Sequence, residues 1–267
     1  MQVAEDLRAE ASALHRFLET LDEEDWRSPT LFMSWTPWDV LAHLHYFDQA
    51  SLFALEDPEA FDRRRRELIE HVAAGGATTE LQRAALRELD APTLLRSWSE
   101  TVEELAKSLS AASAADPRRR LPWFGPDMGI AMFTTARFME TWAHGQAIHD
   151  LKGVARTPTD RIRHVCTIGV KTFGWSFVNR GQEVPGPPPR VRLRAPSGAF
   201  WEWNESDEGE WIEGDALDFA LVVTQVRNVR DTALRVQGAI ASQWMEIAQC
   251  FAGAPADPPA PGVRRGA

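Results

Sequence analysis

Arg137-Phe138-Met139-Glu140-Thr141-Trp142-Ala143-His144-Gly145-Gln146 is the stretch from which both the fold and the chemistry are read. It lies in a segment of helical character from about Asp127 to Leu151, closed by Gly153. Residues four apart on a helix share a face, one turn from each other. Glu140 and His144 therefore present a carboxylate and an imidazole side by side. Such a pair either supplies two corners of a metal site or works as acid and base. A third ligand has to come from another helix, and His43 is available to supply it.

Working outward, the preceding segments read as helices of one bundle. Val3, Leu7, Leu14, Phe17, Leu18 and Leu21 form a single apolar stripe over residues 3 to 21, the mark of a helix with one face on a core. Thr36-Pro37-Trp38-Asp39 is a strong helix start, with Thr36 at the N-cap, Pro37 first in the helix and Asp39 third. His43 and His45 fall within the first three turns that follow. The run Arg63 to Arg66, flanked by Asp62, Glu67 and Glu70, reads as a solvated helix face. Gly75-Gly76 breaks the chain, after which Leu94, Leu95, Trp98, Val102, Leu105 and Leu109 repeat at helical spacing until Asp116-Pro117. A compact basic and aromatic connector, Arg118 to Pro126, leads into the helix of Glu140. The predicted fold is mainly α: a four-helix bundle, in which metal sites form from inward-facing side chains.

Beyond Gly153 the pattern changes. Thr157-Pro158-Thr159-Asp160 opens a helix running to about Asn179, and Pro185 to Pro189 reads as a stiff linker. Val191, Leu193 and Ala195 alternate with arginines as a strand. Further strands are expected at Phe200 to Trp203 and Glu210 to Glu213. Helices follow at Leu217 to Val223 and about Ala239 to Phe251. The expected layout is a bundle over 1–155, a helix and small α+β domain over 156–253, and a Pro/Ala/Gly/Arg tail over 254–267 that should be disordered.

The 267 residues carry a net charge of −10, which argues against nucleic acid or an anionic membrane surface as partners. No apolar run approaches the ~18 residues of a spanning helix, and the acidic start Met1 to Asp6 is unlike a secretory signal. A cytoplasmic protein acting on a small molecule is the default, and the oligomeric state is left open. The two cysteines, Cys166 and Cys250, lie far apart on apolar helical faces and read as inert core residues. Eleven tryptophans against one tyrosine point to core, with some lining an apolar pocket.

His43, Glu140 and His144 are thus the candidate metal ligands. Two imidazoles and a carboxylate suit zinc first, and also nickel, iron or manganese, while leaving positions open for substrate. His45 and His149 point off that face. Asp48, five residues after His43, reads as a solvated carboxylate. Arg137 and Arg120 are the candidates to meet an anionic substrate, with Arg227 a weaker third, and each reads equally well as a plain salt-bridge arginine. Trp38, Trp123, Met128 and Trp142 are the expected pocket lining.

Trp35-Thr36-Pro37-Trp38-Asp39-Val40-Leu41-Ala42-His43-Leu44, together with Glu140-Thr141-Trp142-Ala143-His144-Gly145, resembles the mycothiol-dependent maleylpyruvate isomerase group of the DinB-like superfamily. The resemblance covers roughly residues 1 to 155. It implies a DinB-like bundle holding a divalent metal on His43, Glu140 and His144, with mycothiol as a possible co-substrate. The segment from Arg190 to Gly253 is similar to the sterol-carrier-like domain of such proteins. The Arg120-x-Pro122-Trp123-x-Gly125 connector and Met139 to Gln146 resemble an actinobacterial metal-binding subgroup. One departure stands out: members often carry an acid three residues after the second helical His, and here that residue is Ala147.

The resemblance implies a transferase or isomerase. Metal ligation would deprotonate a small thiol for addition to an electrophile, giving a conjugate or, with rotation and expulsion, cis–trans isomerisation. Two alternatives stay open. One is a thiol-independent metal enzyme for rearrangement, cyclisation or hydrolysis of a natural-product-like molecule. The other is a non-enzymatic small-ligand-binding protein.

Overall fold

The computed structural model describes residues 1–205 and 209–264 and divides into two units, Met1–Leu151 and Lys152–Ala267. In the first unit the long helices are α1 (Gln2–Leu18), α2 (Pro37–Glu56), α5 (Ala91–Ala115) and α6 (Ile130–Lys152), with α3 (Pro58–Ala73) and α4 (Thr78–Leu86) in the crossover between α2 and α5. The start of α2 is as its sequence predicts. Thr36 accepts from the Asp39 amide, and the Asp39 carboxylate closes the reciprocal bond to the Thr36 amide at 3.0 Å. That exchange satisfies two of the helix's otherwise unpaired donors.

Helix α5 packs against both α1 and α2. Leu94, Trp98, Leu105 and Leu109 bury completely along the stripe read from the sequence. Helix α6 meets α1 where a Cβ at Gly145 would stand 3.3 Å from Leu14 Cδ1, and where the His149 ring stacks on Phe17 at 3.9 Å. The basic connector before α6 is a short hairpin, β1 (Arg120–Leu121) paired antiparallel with β2 (Met128–Gly129).

Helix α4 is a helix that sequence patterning passed over. Arg83 docks it on the start of α2, forking onto both oxygens of Asp39 at 2.7 and 2.9 Å, and just beyond the helix the Leu89 carbonyl accepts from Trp38 Nε1 at 3.1 Å. Of the arginine run, Arg63 and Arg66 are the exposed face expected, while Arg65 is half-buried, paired with Asp62 at 3.0 Å. Arg64 instead folds back, donating to the Tyr46 carbonyl with its guanidinium over the Tyr46 and Phe53 rings.

The second unit holds a four-stranded sheet in the order β4 (Phe200–Trp203), β3 (Arg190–Arg194), β5 (Trp211–Asp215), β6 (Arg235–Gln237). The β3–β5 pair is parallel and the others antiparallel. Strand β6 was not read from the sequence. Its three residues alternate, half-buried Val236 between exposed Arg235 and Gln237, but the run is too short to read as a strand. The helix expected from 157 to 179 is broken at Thr172 into α7 (Arg163–Lys171) and α8 (Phe173–Val178), where the Thr172 hydroxyl bonds back to Ile168 and Gly169. Helix α9 (Ala216–Val223) crosses α7 closely, and α10 (Ala239–Ile247) ends before the predicted Phe251.

In the described part of the tail, Asp257 accepts from Arg180, Gln225 donates to the Ala256 carbonyl, Asn228 donates to Pro259, and Asp231 accepts from the Gly262 amide. Residues 265–267 lie outside the described residues. No helix among the described residues is long and apolar enough to cross a membrane.

Candidate metal centre

His43 comes from the second turn of α2, fixed by the Thr36–Asp39 cap. Glu140 and His144 come from successive turns of α6. The two helices face these side chains at one another: Glu140 Oε2 lies 3.3 Å from His43 Nε2 and 3.1 Å from His144 Nε2. The imidazole rings are 4.5 Å apart, centroid to centroid. The three donor atoms all fall within 4.8 Å of one another, and among the described residues this is the one His/Cys/Asp/Glu cluster of that kind.

The electrostatics follow from the wall around the cluster. Phe32 meets the His144 ring edge-on at 5.1 Å, Trp35 stacks on it at 5.6 Å, and Phe47 tilts against His43 at 4.8 Å. Burial among these rings, then the neighbouring His144, lowers the His43 pKa to about 4. Burial alone would raise Glu140. The hydrogen bonds from His144 and His43 outweigh it and leave the carboxyl well below its usual range. The site therefore offers a carboxylate and an unprotonated His43 ring at neutral pH, the forms in which these groups ligate a cation.

The arginines correct the sequence reading. Arg137 is 2% exposed, and its Nε donates to Asp48 Oδ1 at 2.9 Å. Asp48 is no solvated carboxylate: it is fully buried and also accepts from Trp98 Nε1 at 3.0 Å. Burial pushes its carboxyl up, against the pull of Arg137 and Trp98. Arg137 is thus committed to a core ion pair one turn before Glu140, with its Nη2 buried and without a partner. Arg120 is exposed and turns back on its own hairpin to donate to the Asp127 carbonyl. Arg227 is buried within the second unit, with Nη1 on the Val226 carbonyl.

The expected pocket lining is also redistributed. Trp142 is 1% exposed and belongs to the core. Trp38 is taken up by the Leu89 carbonyl, and Met128 is a half-buried strand residue opposite Leu121. Trp123 is one ring removed from the cluster, 6.1 Å from Phe47. The rings that touch the imidazoles are Phe32, Trp35 and Phe47. Trp35 was legible as part of the motif. The approach of Phe32 was not, because it depends on a loop in which Met33 and Ser34 take left-handed φ of 51° and 57°. His45 points away, bonded to Gln49 at 3.1 Å, as its spacing from His43 predicts.

Comparison with known proteins agrees with this architecture. Residues 7–149 match the family model described as the mycothiol maleylpyruvate isomerase N-terminal domain. The chain belongs to this family. Two uncharacterized proteins from two strains of Mycobacterium tuberculosis are each 37% identical over 256 residues, spanning 94% of this chain and 95% of the relative. Among solved structures, a mycothiol-dependent maleylpyruvate isomerase superposes with a TM-score of 0.51 at 15% identity, covering 83% of this chain and 87% of that one. A histidine-to-alanine mutant of such an isomerase gives the same TM-score at 14% identity. At that identity the likeness is one of fold. The family model ends at 149, close to the end of the first unit, so it takes in the bundle and all three clustered residues.

Proposed function

We propose that this protein is a divalent-metal-dependent enzyme of isomerase or transferase type, activating a low-molecular-weight thiol such as mycothiol toward an electrophilic small molecule. The observation that carries this reading is the convergence of His43 Nε2, His144 Nε2 and Glu140 Oε2 from two helices onto one spot. The donor set fits zinc: two nitrogens and one carboxylate are three protein ligands, the number found where a coordination position is kept open for chemistry. A divalent ion held there would supply Lewis acidity, lowering the pKa of a thiol from its ordinary value of about 8.5.

The chain's own residues supply the rest. Glu140 brings one negative charge to the site, so a dication bound there keeps a net positive field for an anionic thiol or substrate. Phe32, Trp35 and Phe47 close one side with apolar rings, which keeps water from the donors and strengthens each electrostatic contact. The buried Asp48–Arg137 pair fixes the α6 backbone one turn before Glu140 through a contact to α2, holding the two ligand-bearing helices in register. Isomerisation by reversible thiol addition needs a desolvated anionic sulfur, room for rotation about the former double bond, and re-expulsion of the same thiol. The net reaction consumes no thiol.

Elemental analysis of the purified full-length protein tests the metal, with His43→Ala, Glu140→Ala and His144→Ala as controls. A stoichiometric divalent ion lost in all three variants is expected. A wild-type protein that neither carries nor takes up such an ion would overturn the reading. Titration of the metal-loaded protein with mycothiol then tests the thiol. Absence of binding heat at millimolar thiol would overturn that half, and assay of maleylpyruvate isomerisation with mycothiol decides the substrate.

A further inference from the structure

Among the described residues, Gln82 is the polar side chain that faces the outer nitrogen of His43. It sits on α4, beside the Arg83 that clamps that helix to Asp39, and is 1% exposed. Its amide lies 3.4 Å from His43 Nδ1, while its other terminal atom, Oε1, is buried without a partner. A buried amide is costly unless its polar ends are used, and this one is aimed at a ligand ring.

We propose that Gln82 is a positioning residue that sets the tautomer of His43, turning its side-chain carbonyl to the ring to accept Nδ1–H when a cation is bound. The argument rests on the metal reading above. A neutral imidazole has one N–H and one lone pair. With the Gln82 NH2 facing the ring, Nδ1 accepts and Nε2 carries the proton. That proton points to Glu140 at 3.3 Å, and no lone pair faces the site. With the carbonyl facing the ring, Nδ1–H donates and the Nε2 lone pair is free to ligate.

A half-turn of the amide exchanges the two arrangements without moving the backbone, because its two ends have nearly the same shape. Glutamine serves both states, since its amide carries a donor and an acceptor. Histidine ligands ordinarily hand their second nitrogen's proton to such an acceptor, which fixes the ring and raises its basicity.

The test is zinc affinity of the full-length protein by competition with a chelator, with Gln82→Met and Gln82→Glu beside the wild type. The expected result is a loss of about 10- to 100-fold for Gln82→Met, with metal-free melting temperature little changed. Gln82→Glu retains an acceptor and should hold affinity at or above wild type. Long-range 15N–1H NMR of the zinc-loaded wild type should show the His43 proton on Nδ1.

Wild-type affinity in Gln82→Met, or a loss in Gln82→Glu equal to that in Gln82→Met, would overturn the proposal while leaving the metal reading intact, whereas a proton on Nε2 would overturn the proposal and also remove His43 Nε2 as a ligand. A wild type that binds no zinc would overturn both. If Gln82→Met does not fold, the NMR measurement on the wild type decides.

Discussion

Arg137 and Asp48 form an ion pair almost wholly removed from water, Nε to Oδ1 at 2.9 Å, with side-chain exposures of 3% and 0%. It joins α6 to α2 beside the ligands that the same two helices carry. Trp98 from α5 completes it, so three helices of the bundle meet at one carboxylate.

Breaking that pair from one side leaves the other charge buried and uncompensated, which costs about 3–5 kcal/mol. Asp48→Ala is expected to destabilise the protein by that amount in urea denaturation. Asp48→Leu combined with Arg137→Met should recover much of the loss, because replacing both partners removes the orphaned charge. A double variant no more stable than Asp48→Ala would contradict this account.

Metal binding should register as stability. A ligand that binds only the folded state adds about 2.7 kcal/mol at a hundredfold excess over its Kd. Zinc is expected to raise the wild-type melting temperature and leave Glu140→Ala unmoved. Chelator should reverse the shift.

Acid should unfold the metal-free protein through its buried imidazoles. The His43 pKa is lowered to about 4 by burial and then by His144, and that of His45 to about 4 by burial and then by Arg64. Both folded values lie below the ordinary 6.5, so unfolding takes up protons between the two. The associated stability is fully present above about pH 6.5 and is lost as pH falls toward 4. Each imidazole contributes a slope of up to about 1.4 kcal/mol per pH unit in that window. Urea midpoints at pH 7, 5.5 and 4 measure this, and His45→Gln should shallow the slope.

The second unit has its own steric test. A Cβ at Gly169 would stand 2.7 Å from Val223 Cγ2, where α7 crosses α9. Gly169→Ala is expected to destabilise by about 1–3 kcal/mol through overpacking. Adding Val223→Ala should relieve part of the clash, since it removes the atom that is met.

The clustered residues were legible in part from local rules. The four-residue step from Glu140 to His144 needs only a helix, and the Thr36-Pro37-Trp38-Asp39 start fixes where α2 begins and hence which turn His43 occupies. The role of the arginines was left open between substrate contact and ion pair for the opposite reason. Whether a guanidinium is free or paired depends on what another helix brings to it, and nothing within Arg137's own segment announces Asp48 from 89 residues away. Helix α4 escaped notice because Thr78–Leu86 is only 9 residues long and buries only Gln82 and Leu86, too little for an apolar stripe to show.

Sequence alone therefore determined the helical bundle and the α+β unit after it, which follow from periodicity and caps within single elements, and it named His43, Glu140 and His144 as candidates through spacing together with the family resemblance. Only the tertiary structure decided that these three converge, that Phe32, Trp35 and Phe47 rather than Trp142 enclose them, and that Gln82 stands behind His43. Most of those relations join residues tens of positions apart, the contact of Phe47 with His43 on the same helix being an exception. They are set by how helices cross and by which side chains must be buried together, and neither is written in any one stretch of the chain.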